Sequence, residues 1–269
     1  MRESEARYRS LFDGVPVGLY RTTPTGDLMD VNLAAVQMFR YPSRDDALAV
    51  ETTGLYVNPE DRLRWQRVME REGIVRAFET QLYRNDGSIM WISDTARAVK
   101  DELGQVLHYE GSLEDITQRK LFEEEIRRQR DYLEALFDNS PVAVVTADLE
   151  GRVVSWNPMA ETLFGYAEQE AIGVGLDELV AADDSIREEA AGYTEQVLSD
   201  VGRRVQGTTQ RTRKDGSLVD VDLLALPLVL AGEKVGFCAI YHDISELKAT
   251  ERELRQQKDY FEAIFVNSP

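Results

Sequence analysis

Cysteine is nearly absent from this 269-residue chain: Cys238 stands alone. One thiol excludes an intramolecular disulfide and any cysteine-rich zinc site. Histidine is almost as scarce, with His108 and His242 only, and neither lies beside an obvious nucleophile. No run approaches 18 apolar residues, and Met1 leads into a charged stretch, so neither a membrane span nor a signal peptide is expected. A cytoplasmic setting follows as the expectation. Glycine-rich phosphate loops, HExxH and GxSxG are all missing, and no enzyme activity is expected of these residues themselves. Basic side chains are the minority, 31 against 49 acidic, for a net charge of −18. Such a surface repels nucleic acid and anionic membrane. With so many carboxylates, chance acidic pairs are common and signal solvated faces rather than acid–base chemistry.

What the chain does have is a copy of itself. DYFEAIFVNSP at 259–269 repeats DYLEALFDNSP at 131–141, and a looser LFDGVP opens the chain at 11–16. A period this long is a whole domain and not a solenoid repeat. The length suits two domains at about 150 residues each, and a hydrophobic fraction of 43% is that of a folding chain. Further anchors repeat: Gly26 and Asn32 answer Gly151 and Asn157, RNDGS (84–88) answers RKDGS (213–217), and DIT (115–117) answers DIS (243–245).

Within each copy, LMDVN and RVVSWN read as short strands after a glycine turn. Asn32 and Asn157 then sit where helix N-caps belong. A longer helix follows. In the first copy Asn58 is the expected N-cap, Pro59 the first helical residue and Gly73 the C-terminal stop. In the second, Ile186, Ala190, Tyr193 and Val197 recur at helical spacing. Asn85-Asp86-Gly87 and Lys214-Asp215-Gly216 predict tight hairpins, and Val219, Val221 and Leu223 alternate with Asp220 and Asp222, so one strand face should be wet. Each copy is thus two strands, a helical middle and a three-strand meander.

On NPMAETLFGYAEQEAIG, RKDGS and YHDIS, and on VNLAAVQMFRYPS, RNDGS and LEDIT, the copies resemble PAS domains, sensor modules of signalling proteins. The resemblance implies an α+β fold: two domains, each a five-stranded antiparallel sheet with helices on one face, joined by a helical linker. The boundaries expected are 1–117, a linker at 118–131, 132–245, and at 246–269 a second linker with the start of a third domain. It also implies a function: a sensory, signal-transmitting module of a larger protein, most often a sensor histidine kinase of a phosphorelay. A diguanylate cyclase or phosphodiesterase as output, or a ligand-free spacer, are the alternatives.

Three cofactor readings come with the resemblance. Haem-binding members use a histidine on the long helix, and EDRLRWQRVMERE and SIREEAAGYTEQVLSD contain none. Members that form a flavin adduct use a cysteine in a stretch that here reads GLYVNPED and GLDELVAADD. The flavin-contacting glutamine is replaced by Leu113 and Tyr241. Haem and a covalent flavin are therefore not expected, no metal is expected, and the cofactor is unknown. A non-covalent small-molecule ligand or none stays open. Strand parity and the long helix nominate Trp65, Met69, Tyr109 and Leu113, and in the second copy Phe237 and Tyr241, as pocket residues or ordinary core. Signal transmission falls to Asp115, Ile116 and Thr117 and to Asp243, Ile244 and Ser245, with Thr117 and Ser245 able to cap the outgoing helix and each aspartate able to accept backbone or arginine hydrogen bonds. Trp91 is expected to contact an N-terminal helix or a second subunit.

Phe122, Ile126, Gln129 and Leu133, and again Leu254, Gln257 and Phe261, follow a 3.5-residue period among charged neighbours. This is a coiled-coil seam between two copies of the chain, or a helix packed on its own domain. The partners expected are a second copy, a small-molecule ligand and a C-terminal output domain.

Overall fold

The computed structural model describes residues 2–199 and 204–266, the side chains of 2–5 and 261–266 excepted. It divides into two compact units, one on either side of Arg128–Gln129. The first opens with helix α1 (Arg2–Gly14) and strands β1 (Gly18–Thr22) and β2 (Leu28–Val31). Helices α2 (Leu33–Met38) and α3 (Arg44–Leu48), a 3-10 turn at Thr52–Leu55 and α4 (Pro59–Glu72) follow. Strands β3 (Ile74–Tyr83), β4 (Ile89–Lys100) and β5 (Val106–Asp115) close the sheet, and α5 (Thr117–Asp138) leaves it. The second unit repeats the plan. It has β6 (Ala143–Ala147), β7 (Val153–Trp156), α6 (Pro158–Phe164), α7 (Glu168–Ala171), α8 (Leu176–Val180) and α9 (Asp184–Ser199). Then come β8 (Val205–Thr212), β9 (Leu218–Leu230), β10 (Glu233–Asp243) and α10 (Ser245–Val266). Both sheets are five-stranded and antiparallel, in the orders β2-β1-β5-β4-β3 and β7-β6-β10-β9-β8. The α+β expectation and its five-stranded sheets hold.

The repeated asparagines explain part of the repeated sequence. Asn32 is fully buried. Its Oδ1 accepts from the N–H of Leu19 at 2.8 Å and of Ala35 at 3.0 Å, and its Nδ2 donates to the carbonyls of Phe12 and Val17. Asn157 does the same with Val144, Ala160, Phe137 and Val142. One side chain thus caps a helix, satisfies the first strand and ties both to the Leu-Phe-Asp motif at 11–13 or 136–138. Only an amide, with two donors and an acceptor oxygen, completes this set. The α4 signals also read correctly: the Asn58 side chain accepts from the N–H of Glu60, and Gly73 ends the helix in the left-handed region at φ 72°.

The cores differ. In the second unit the buried side chains form one continuous cluster, from Val145 and Trp156 through Phe164 to Phe237 and Tyr241. In the first they form three separate groups, around Met90 and Leu113, around Val31 and Ala35, and around Trp65 and Met69. The restart of the repeat at 259–269 falls on the end of α10, and its last three residues lie outside the described residues.

Replacing Asn157 with alanine leaves two backbone N–H groups and two carbonyls without their partner in a dry site. The expected loss is about 3 kcal/mol in the second unit, read as a lowered denaturant midpoint for that transition with the first unit's transition unmoved.

Candidate functional site

Between the three core groups of the first unit lies a cavity of about 70 Å3. Ordered water needs roughly 10–15 Å3 per molecule, so there is room for several waters or a small organic molecule. Aliphatic and aromatic side chains make most of the wall, among them Leu28, Val31, Phe39, Leu55, Ile92 and Leu113. Polar groups break it, among them Tyr20 on β1, Asp94 on β4, and Arg62 and Trp65 on α4. The Asp94 carboxylate is only 4% exposed. It accepts from the Trp65 indole N–H at 2.6 Å and from the Tyr20 hydroxyl at 3.0 Å. Burial pushes its pKa up to about 7, against the pull of these two donors and of the Arg62 charge. The Arg62 guanidinium stacks 4.8 Å from the Trp65 ring, and its Nε and Nη2 are buried without a hydrogen-bond partner. Gly111 faces Tyr20 across the sheet. A Cβ there would come 2.8 Å from the tyrosine oxygen, so a glycine is what lets that hydroxyl reach Asp94.

The same region of the second unit is filled. A void of only about 10 Å3 remains between Phe237, Tyr241, Tyr193 and Arg211. By their register, Leu223 stands where Asp94 does and Tyr241 where Leu113 does, since each pair faces across the sheet. The buried charge has moved to Arg211, 1% exposed, which bonds Thr209 and pairs with Glu189 at 3.3 Å. Its guanidinium lies 5.8 Å from the Tyr193 ring. The bulk of Tyr241 and of the arginine takes the space that the first unit leaves open.

Of the nominated pocket residues, Trp65 and Leu113 line the first cavity. Met69 and Tyr109 do not; they pack behind Trp65, Tyr109 edge-on at 5.3 Å. Phe237 and Tyr241 are buried and border the small void. Tyr20, Arg62 and Asp94 were missed. A signal for Asp94 was present, because it shares the parity of Met90, Ile92 and Ala96 and so is an aspartate on the inward face of a strand. Arg62 sits one turn before Trp65 on the same helix face.

Both outgoing helices leave through the same junction. Asp115 Oδ1 accepts from the backbone N–H of Thr117 at 2.9 Å while Oδ2 holds Arg84 at 2.7 Å. Asp243 does likewise with Ser245 at 2.9 Å and Arg213 at 3.2 Å. Burial alone would raise these carboxyls, but the helix donors and the arginines bring both below their ordinary value. Ile116 and Ile244 are buried plugs between carboxylate and helix. The expectation that Thr117 and Ser245 cap the helix by their hydroxyls is corrected: the aspartates do so. The Thr117 hydroxyl instead accepts from the N–H of Trp91.

Two further expectations concern the same helices. Trp91, expected against an N-terminal helix or a second subunit, has its half-buried ring 5.5 Å from the Lys120 ammonium in the first turn of α5. At the matching place Asp220, expected to be wet, is held by Lys248 at 2.9 Å and Arg252 at 3.5 Å on α10. The outward face of β4 and of β9 therefore serves as the seat of the outgoing helix.

On the helices, Phe122, Ile126, Leu133 and Leu254 are each about two-thirds exposed, and Gln129 and Gln257 are exposed as well. The Phe261 side chain lies outside the described residues. His108 and His242 are on the outward face of the last strands, away from the cavity wall. Cys238 is half-buried on that same outward parity. Among the described residues no helix is long and apolar enough to cross a membrane.

A five-stranded antiparallel sheet packed with helices, and a helix capped from its last strand, define a small α+β module present twice, with a cavity against the sheet in the first copy. Compared with known families, residues 131–244 match the PAS fold and residues 15–118 the PAS domain. The chain belongs to the PAS family and carries two PAS domains in tandem. It is 29% identical over 210 residues to the sensor protein FixL of Bradyrhizobium diazoefficiens, covering 74% of this chain and 40% of that protein. To the probable diguanylate cyclase DgcE of Escherichia coli it is 27% identical over 204 residues, 74% of this chain and 18% of that protein. To the cell-division control histidine kinase PdhS of Brucella ovis it is 34% identical over 132 residues, 45% of this chain and 12% of that protein. The chain thus spans less than half the length of these relatives.

Asp94 sets a pH dependence for the first unit. Its ordinary pKa of 3.8 rises to about 7 on folding. Between those values the folded state keeps a proton that the unfolded chain has released, so stability falls as pH rises from about 4 to 7. Asp94→Asn is expected to remove that slope: its melting temperature gains on the wild type more at pH 7.5 than at pH 4.5 in thermal unfolding followed by circular dichroism.

Proposed function

We propose that this chain is the sensory and relay segment of a larger signalling protein, with the first PAS domain sensing through its cavity and the second relaying. The observation that carries the reading is that cavity and helix cap share two strands. Leu113 lines the cavity two residues before the capping Asp115, and Ile92, also in the wall, pairs directly with Asp115 across the sheet. A ligand that pushes on Leu113 or Ile92 pushes on the carboxylate that seats α5. Interfaces of this kind switch between discrete arrangements, and a coupling of about 1–3 kcal/mol suffices to bias a distant output.

The filled core of the second domain, with Arg211 and Tyr241 in the place of an occupant, supports a relay or spacer role for that unit. The output follows by analogy with relatives whose names include a histidine kinase and a diguanylate cyclase; a histidine kinase is the reading adopted. The exposed apolar positions Phe122, Ile126, Leu133 and Leu254, at heptad spacing, suit a second copy of this chain as partner through a coiled coil.

Two tests follow. With the whole chain fused ahead of a histidine-kinase catalytic core, Ala47→Leu, which fills the cavity, is expected to shift autophosphorylation at least threefold, and adding Asp115→Ala to return it to the parent level. An unmoved output with Ala47→Leu overturns sensing by the first domain. Ile126→Glu with Leu133→Glu is expected to convert a dimer to a monomer in sedimentation; an unchanged sedimentation coefficient removes the coiled coil from the reading.

A further inference from the structure

We propose that the cavity of the first PAS domain binds a small monocarboxylic acid, its carboxylate held by the Arg62 guanidinium and its apolar part by the aliphatic and aromatic wall. The inference rests on the sensory reading of that cavity and names the chemistry it would sense.

The first argument is the guanidinium itself. Buried polar groups are almost always partnered, yet Arg62 has two buried N–H-bearing nitrogens, Nε and Nη2, with no acceptor. Those adjacent donors form the fork that matches a carboxylate with two parallel hydrogen bonds. The arginine is held in place for this by stacking, 4.8 Å from Trp65 and 6.0 Å from Tyr56. Asp94 does not fill the role: its oxygens are engaged by Tyr20 and Trp65, and no ion pair joins it to Arg62 among the described residues.

The second argument is exclusion. A cationic ligand meets the arginine's charge. A phosphate or dicarboxylate carries two charges into a wall with one cation, where the second has no partner and desolvation is costly. A wholly apolar guest leaves the Arg62 donors unsatisfied. A single carboxylate on a short hydrocarbon or single ring fits both the charge and the size.

Asp94 then couples binding to protons. The groups facing it are Tyr20 from β1, Arg62 and Trp65 from α4, and Tyr56 from the segment before α4. A carboxylate entering beside Asp94 adds a like charge, and the pair is relieved by keeping the Asp94 proton. From above the ligand's own carboxyl titration range up to about pH 7 that proton is already present and affinity is flat. Above it, each bound ligand takes up a proton, and the dissociation constant rises about tenfold per pH unit.

The test is titration calorimetry on the full chain with butyrate and benzoate, against butyramide, butylamine and inorganic phosphate. One carboxylate per chain is expected, weakening with pH above 7, with no saturation by the other three. Arg62→Gln is expected to weaken binding at least tenfold and Arg62→Lys by less, with melting temperatures confirming folding. Asp94→Asn is expected to bind with the same affinity from pH 6 to pH 8.5. Preference for the amine, amide or phosphate, or full affinity in folded Arg62→Gln, overturns the carboxylate assignment. So does a lack of binding by every probe. In each case the cavity-filling fusion decides independently whether the sensory reading survives: an output that still moves with Ala47→Leu leaves the sensor and removes only its carboxylate ligand.

Discussion

A carboxylate at the end of a strand ties each outgoing helix to its sheet. An antiparallel sheet satisfies its own hydrogen bonds and a helix satisfies its interior, but the first turn of a helix has donors with no acceptor. At both junctions one aspartate supplies that acceptor while its other oxygen binds the arginine that opens the β3–β4 or β8–β9 hairpin. The buried isoleucine between them gives its N–H to the neighbouring strand, at Trp91 or Asp220. Helix, strand end and hairpin are thus bound at one point, and none can shift without the others.

From that junction the two domains diverge inward. The second has spent its interior volume on side chains: a tyrosine in place of Leu113, a leucine in place of Asp94, and a buried arginine where the first domain has Leu82. Its core is continuous as a result. The first keeps leucines at two of those places and a carboxylate on the inward face of β4, and its core breaks into three groups around a space. At about 24 cal/mol per Å3, leaving about 70 Å3 empty costs on the order of 2 kcal/mol. A buried carboxylate adds to that cost. Strain of this kind, against an otherwise consistent fold, is where function is expected to sit.

The tryptophan and the aspartate at matching places, Trp91 and Asp220, show one scaffold solving one problem by two means. Each sits under a lysine of the outgoing helix, by cation–π contact in the first domain and by an ion pair in the second. The residue type changed between the copies while the contact stayed.

The local signals were all in the sequence, because they act over a few residues. Glycine turns, the asparagine caps, the α4 boundaries, the order of strands and helices and the duplication itself follow from backbone sterics and periods of 2 and 3.6. Strand parity, with its phase taken from the PAS resemblance, put Leu113 and Tyr241 inside. What parity leaves undetermined is the depth at which a side chain meets its neighbours across the sheet. Met69 and Tyr109 share the inward face with the cavity residues yet pack behind Trp65. Tyr20, Arg62, Trp65 and Asp94 come from three elements far apart in the chain, and only their packing brings an indole N–H and a phenol to one carboxylate. Register likewise gave the capping to Asp115 and Asp243 instead of the hydroxyls beside them. The sequence by itself determined two PAS modules and their junctions; the tertiary structure alone decided that one is hollow and the other full. The physical reason is that volume is set by side chains from several elements together, and no single stretch of chain contains that sum.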